Sequence, residues 1–308
     1  MRARPRGRGA AVKVAAILLD TGRELLYRKT IIVYFGVVTL VLLFFVLALQ
    51  TDVANGVIAS LTVAGLEGSA SQGGFRLGDG AEGPGMGGLT AEMFVRYVQL
   101  GMAFFLYPLA ILMSVFATAS LVPRMLEKGT IDLMLSKPIT RPALFLSRYA
   151  GGALTAALNL LYLTLGLAVI LAWKTGVWNG GFVLSGLVMS FFFACLLAFT
   201  VLAGVLLRST TVSIMITAVL FVASLLVRMP HSNRDWPLLI TSRASRFLAQ
   251  AVVETLYYAL PRSYELVQST VALIRHEGSV EWGAIFGSAA SGALALALAV
   301  VYFSRKDY

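Results

Sequence analysis

The chain has 308 residues, 58% of them apolar and only 13% charged, proportions that exclude both a disordered polymer and an ordinary water-soluble globule. A membrane protein is the class that remains. Its formal charge of +10 is placed beside apolar stretches, where anionic lipid and membrane topology account for it, so nucleic acid is not expected as a partner.

The first thirty residues form a basic arm carrying Arg2, Arg4, Arg6, Arg8 and Lys13. Within it Val14, Ile17, Leu18, Leu25 and Leu26 share one helical face, with Asp20, Arg23, Glu24 and Arg28 mostly on the other. This pattern predicts an interfacial helix lying flat before the first span; a basic extension of that span is the alternative. The uncharged run 31–49 is longer than the apolar core of a signal peptide and has no clean small-x-small site at its end, so it reads as a retained signal anchor. Five further uncharged runs follow, at 97–122, 149–173, 180–207, 209–227 and 282–303, each near the roughly 20 residues a helix needs to cross hydrocarbon. Lipid offers backbone amides no partner, so the expectation is an all-α membrane protein with six transmembrane helices. It divides into an arm with the interfacial helix (1–30), a six-helix transmembrane domain (31–303) and a short tail (304–308).

The segments between the spans differ in character. Glycine crowds the stretch 65–89, which reads as a flexible loop. No strand is expected before it, so its GxGxxG-like spacing does not suggest a nucleotide cradle. Before the last span, Phe247, Leu248, Ala251, Val252 and Ala259 form one apolar stripe and Tyr264, Val267, Val271 and Ile274 another, on either side of Pro261. Two short amphipathic helices broken at the proline fit this, either capping the mouth of the bundle or lying on the membrane surface. In the last span Gly283, Gly287, Ser291, Ala295 and Ala299 recur every fourth residue, a smooth stripe for close helix packing within the chain or against a second subunit.

Basic residues near helix ends stay in the cytoplasm more often than they translocate. The arm, the segment with Arg124, Lys128, Lys137, Arg141 and Arg148, and the tail with Arg305 and Lys306 are therefore expected inside. The segment with Asp52, Glu67, Asp79, Glu82 and Glu92, against only Arg76 and Arg96, is expected outside. Both termini are then cytoplasmic and the chain is a multi-pass protein of the plasma (inner) membrane. The long segment from Arg228 to Glu281 falls outside on this count despite its six arginines, at a length where the charge rule weakens.

No apolar run holds an Asp, Glu, His or Lys, although ion-coupled carriers tolerate them at about 2.5 to 3.5 kcal/mol each. His231 and His276 are both in the segment before the last span, and Cys195 is the single cysteine, so no metal or thiol centre is expected. None of the six lysines follows a glycine, so the chain has no phosphate loop, and any ATPase that drives it must be another polypeptide. No catalytic residue is expected in this chain.

The most informative stretch lies between the second and third runs. A short element carrying Ile131, Leu133, Met134 and Leu135 sits between Gly129-Thr130 and Lys137-Pro138, flanked by charges of both signs. An element of this kind suits docking into a groove on a soluble partner, or serves as a plain connector. Here the sequence resembles the type-2 ATP-binding-cassette (ABC) permeases, whose first cytoplasmic loop reads Glu-x-Gly-Thr, an apolar stretch, Leu-Ser-Lys-Pro and then an arginine. Glu127, Gly129, Thr130, Leu135, Ser136, Lys137, Pro138 and Arg141 match that pattern. The resemblance is closest to the branch described as multicopper-enzyme maturation permeases. It extends to the layout of flat helix, six spans and paired short helices, and departs in the long Gly-rich loop.

What the resemblance implies is a half-transporter, mostly of the exporting kind. Two permease subunits, identical or not, form the pathway, and two separate cytoplasmic ATPases carrying ATP and Mg drive it. Arg124, Glu127, Lys128, Gly129, Thr130, Asp132, Leu135, Pro138 and Arg141 would form the ATPase-coupling loop, with a coupling helix over 127–135. A membrane anchor that recruits an ATPase without moving a cargo is the rival reading.

Overall fold

In the computed structural model the described residues are 29–54, 57–63, 66–71, 74–77, 81–82, 90–126, 140–227, 243–278 and 280–306. The interfacial helix expected at 14–28 and most of the segment between the second and third runs lie outside them. Nine helices are described: α1 (Lys29–Ala48), α2 (Ala91–Thr118), α3 (Leu121–Met125), α4 (Arg141–Thr175), α5 (Gly180–Leu207), α6 (Thr210–Leu226), α7 (Arg243–Ala259), α8 (Ser263–Arg275) and α9 (Trp282–Arg305). Stretches Ala91–Pro123, Arg141–Thr175, Gly180–Leu207 and Trp282–Arg305 are long and apolar enough to cross a membrane, while Ile32–Ala48 and Thr210–Leu226 are shorter apolar helices.

Helix α5 is apolar all round, and a helix of that kind belongs inside a bundle rather than at its edge. It packs against α4, α6, α8 and α9. Phe182, Phe192, Phe193, Leu196 and Leu197 are fully buried along it. Two close approaches fix its neighbours. A side chain at Gly186 would enter Thr164 of α4, and one at Gly292 of α9 would press on Cys195. The inner part of the small-residue stripe of α9 is used within this chain: Ser291, Ala295 and Ala299 are buried and α9 packs on α5, while Gly283 is exposed with open space beside it.

Helix α4 begins eight residues before its apolar run. A charge does not end a helix; the boundary is set by extended Thr140 at the N-cap and by Pro142 in the first turn, where its missing N–H costs nothing. At 1.5 Å per residue its 35 residues span roughly 52 Å, well beyond the hydrocarbon core. Gly176, at φ 73, closes its far end in the left-handed conformation.

The all-α expectation needs correction between α1 and α2. Strands β1 (Leu49–Ala54), β2 (Val57–Val63), β3 (Leu66–Ser71), β4 (Gly74–Leu77) and β5 (Ala81–Glu82) form an antiparallel meander in sequential order, with one irregularity at Asp52/Val53. The stretch read as a flexible glycine-rich loop therefore contains strands and is preceded by two. Links 55–56, 64–65 and 72–73 are two residues long with glycine second in each, Asn55-Gly56 among them, which is a hairpin signal rather than a linker composition.

Helices α7 and α8 flank Pro261 where the two stripes are read in the sequence, but they differ in environment. On α7, Ala251, Val252 and Ala259 are exposed. On α8 the buried face holds Ser263, Glu265, Leu266, Ser269, Thr270 and Ile274, so of its expected stripe Ile274 is buried while Tyr264 is exposed. The stripe misplaces the face because α8 packs between α5, α2 and α6, where short polar side chains bond to their own helix carbonyls.

Candidate functional site

Of the residues expected in the coupling loop, Arg124 lies on α3 and Arg141 opens α4. Glu127, Lys128, Gly129, Thr130, Asp132, Leu135 and Pro138 lie outside the described residues. The described residues that flank this segment are packed into the bundle. On the α3 side Leu121, Val122, Met125 and Leu126 are all buried. Pro123 rests against Gly204 of α5, where an added Cβ would come within 3.3 Å of its ring. Leu121 fills the space a side chain would need at Gly152 of α4, 2.8 Å from that position. Helix α3 is therefore wedged between α4 and α5.

On the α4 side, Arg141 donates from Nη1 to the carbonyl oxygen of Lys306 at 3.1 Å. Lys306 in turn donates from Nζ to the Tyr302 hydroxyl at 2.7 Å and lies over that ring. One helical turn further in, Phe145 and Phe303 stack with centroids 5.2 Å apart. Tyr149 donates to the carbonyl of Ala194 on α5 at 2.9 Å. The described residues on either side of the segment between α3 and α4 are thus packed against α4, α5 and α9.

The opposite end of the bundle is held by polar clamps. Asn179, just before α5, donates from Nδ2 to Gln99 Oε1 of α2 at 2.7 Å and to the Ile274 carbonyl of α8 at 3.0 Å. Next to it, Gly181 lies so close to the Leu273 carbonyl that no side chain fits. At the α7–α8 corner, Glu265 is buried, accepts from the Tyr257 hydroxyl at 2.5 Å and pairs with Arg262 at 3.8 Å. The Arg262 guanidinium lies 4.9 Å from the Tyr257 ring centroid and donates to the Gly283 carbonyl at 3.2 Å, and its backbone amide donates to Ser288 Oγ at 3.0 Å. Ser263 hydrogen-bonds Ser224 of α6. Four helices therefore meet at this corner, with a buried carboxylate matched to a cation.

Sequence reasoning overlooked two uncharged polar residues inside the runs. Gln99 is one half of the clamp just described. Asn159, in the middle of α4, is fully buried, and neither amide atom has a hydrogen-bond partner among the described residues. Both interrupt otherwise apolar spans, the signal that singles them out. Among the described residues no three His, Cys, Asp or Glu side chains converge as metal ligands.

A bundle of long apolar helices around an uncharged central one defines a multi-pass membrane protein. A family model described as ABC-2 family transporter protein matches residues 15–308, so the chain belongs to the ABC-2 transporter family, whose members are the membrane components of ABC transporters. No curated protein matches the chain.

Proposed function

We propose that this protein is the permease subunit of an ABC exporter of the plasma (inner) membrane, with six spans formed by α1, α2, α4, α5, α6 and α9. Residues 14–28 form a flat interfacial helix, and both termini are cytoplasmic. Two permease subunits form the pathway, and cytoplasmic ATPases holding ATP and Mg supply the power. Within the family it stands nearest the multicopper-enzyme maturation branch. The observation that carries the reading is the Glu127 to Arg141 pattern, set between a wedged α3 and an α4 tied to the end of α9.

In mechanism, closure of the ATPase pair pushes on residues 127–135. Since α3 is gripped by α4 and α5, the push tilts those spans rather than bending a loop, and the pathway opens outward. The test is Glu127→Ala and Gly129→Val in the full chain co-expressed with its ATPase, scored by co-purification and by stimulated ATP hydrolysis. The expected result is association at least about tenfold weaker, equivalent to about 1.4 kcal/mol of docking energy. Unchanged association and hydrolysis would remove this segment from the coupling.

A further inference from the structure

Three cations gather where the start of α4 meets the end of α9. Arg141 donates to the Lys306 carbonyl at 3.1 Å, and Lys306 Nζ donates to the Tyr302 hydroxyl. Arg305, beside them, is exposed and makes no hydrogen bond or ion pair among the described residues. None of the three pairs with a carboxylate among the described residues, whose ion pairs join Arg96 to Glu92, Arg262 to Glu265 and Arg275 to Glu277. Asp307, next in the chain, offsets one of the three cations at most. The junction therefore carries positive charge that the described residues leave unmatched, and an anion is what it suits.

Arg305 also ends an apolar stripe. Leu294, Leu298, Val301 and Arg305 follow one another at spacings of four, three and four, which places them on one face of α9, and all are exposed. From Leu294 to Arg305 the stripe rises roughly 16 Å, close to the roughly 15 Å of hydrocarbon in one leaflet. Trp282, at the other end of the helix, is exposed about 34 Å away, where an aromatic side chain suits the opposite interface. Arg305 and Lys306 then stand at headgroup depth. Of the four helices long enough to cross a membrane, α9 is the least buried, so this face lies on the outside of the bundle.

We propose that the α4–α9 junction binds an anionic phospholipid, with its phosphate among Arg141, Arg305 and Lys306 and an acyl chain along Val301, Leu298 and Leu294. In the proposed orientation this is the cytoplasmic leaflet, whose surface is negative. A free phosphate meets the cations but leaves the stripe unused. A second copy of the chain fits this face poorly, because a two-fold axis along the membrane normal sets Arg305 of each copy at the same depth, like charge toward like charge. The inference depends on α9 crossing the membrane and not on the ATPase coupling, so failure of the Glu127→Ala test leaves it standing.

The test uses the full chain in mild detergent, supplied with phosphatidylglycerol or phosphatidylcholine of the same acyl length, with retained lipid counted by native mass spectrometry. The expected result is several-fold greater retention of phosphatidylglycerol, falling to the phosphatidylcholine level when Arg305→Gln and Lys306→Gln are combined. Arg275→Gln, at an exposed arginine of the other end of the bundle, should leave the preference intact, and Arg305→Lys, which keeps the charge, should retain most of it. If the double variant accumulates poorly, Arg305→Gln alone gives the same reading at an exposed side chain. Equal retention of the two lipids, or a loss as large in Arg275→Gln, would overturn the proposal. So would displacement of the lipid by millimolar inorganic phosphate, which would mean a site for free anions. Weaker ATPase co-purification of the double variant with its lipid preference unchanged would also overturn it, by placing a protein carboxylate at the junction.

Discussion

Asn159 is buried with no hydrogen-bond partner among the described residues, and a buried amide left unpaired costs on the order of 1 to 3 kcal/mol. Leucine keeps the branch at Cγ and removes the polar atoms, so Asn159→Leu is expected to raise the thermal midpoint in detergent, by about 1 kcal/mol of stability. If transport falls while the midpoint rises, the amide is kept for function. Gly181 makes the opposite prediction. A methyl group there collides with the Leu273 carbonyl, so Gly181→Ala should destabilise the α5–α8 contact by about 1 to 3 kcal/mol, read as a lower midpoint. In the sequence Gly181 is one glycine of many, whereas Asn159 already stands out as an amide inside an apolar run. The tertiary structure adds the Leu273 carbonyl beside Gly181, and the lack of a hydrogen-bond partner for Asn159 among the described residues.

At the scale of elements, the helices follow from local rules. Runs of apolar residues at 180–207 and 282–303 become α5 and α9 almost to the residue, because no competing partner exists for their backbone. The α7–α8 corner is different: Pro261 marks the break in the sequence, but the pairing of Glu265 with Arg262 and Tyr257 depends on how the helices meet. Arg262→Ala removes the cation, the stacking on Tyr257 and the bond to Gly283 together. It should cost about 2 kcal/mol, checked by thermal unfolding, with Arg262→Lys recovering part of the loss by keeping the charge but not the planar fork. The strands were the element most easily misread. Glycines at fixed second positions of two-residue links carry the same composition as a flexible linker, and only their spacing separates the two.

For the whole molecule, the bundle is organised by α5, around which α4, α6, α8 and α9 pack. The proposed orientation rests on the charge distribution and gives a direct expectation. In whole cells, single cysteines at Lys137 should react with an impermeant thiol reagent only after permeabilisation, whereas those at Ser69 should react beforehand. Reaction at Lys137 in intact cells would reverse the topology and end the coupling proposal.

The sequence by itself determined that the chain inhabits a membrane, roughly where its apolar helices run, and which segment resembles an ATPase-coupling loop. Those properties depend on runs, periods and motifs within twenty or so neighbouring residues. The tertiary structure alone decided that α3 is wedged between α4 and α5, that Arg141 grips the end of α9, that Ser291, Ala295 and Ala299 of α9 are buried inside the chain, and that Asn159 has no hydrogen-bond partner among the described residues. Each of these joins residues far apart in sequence through packing at distances of a few ångströms, and no local pattern encodes which distant surface will arrive there.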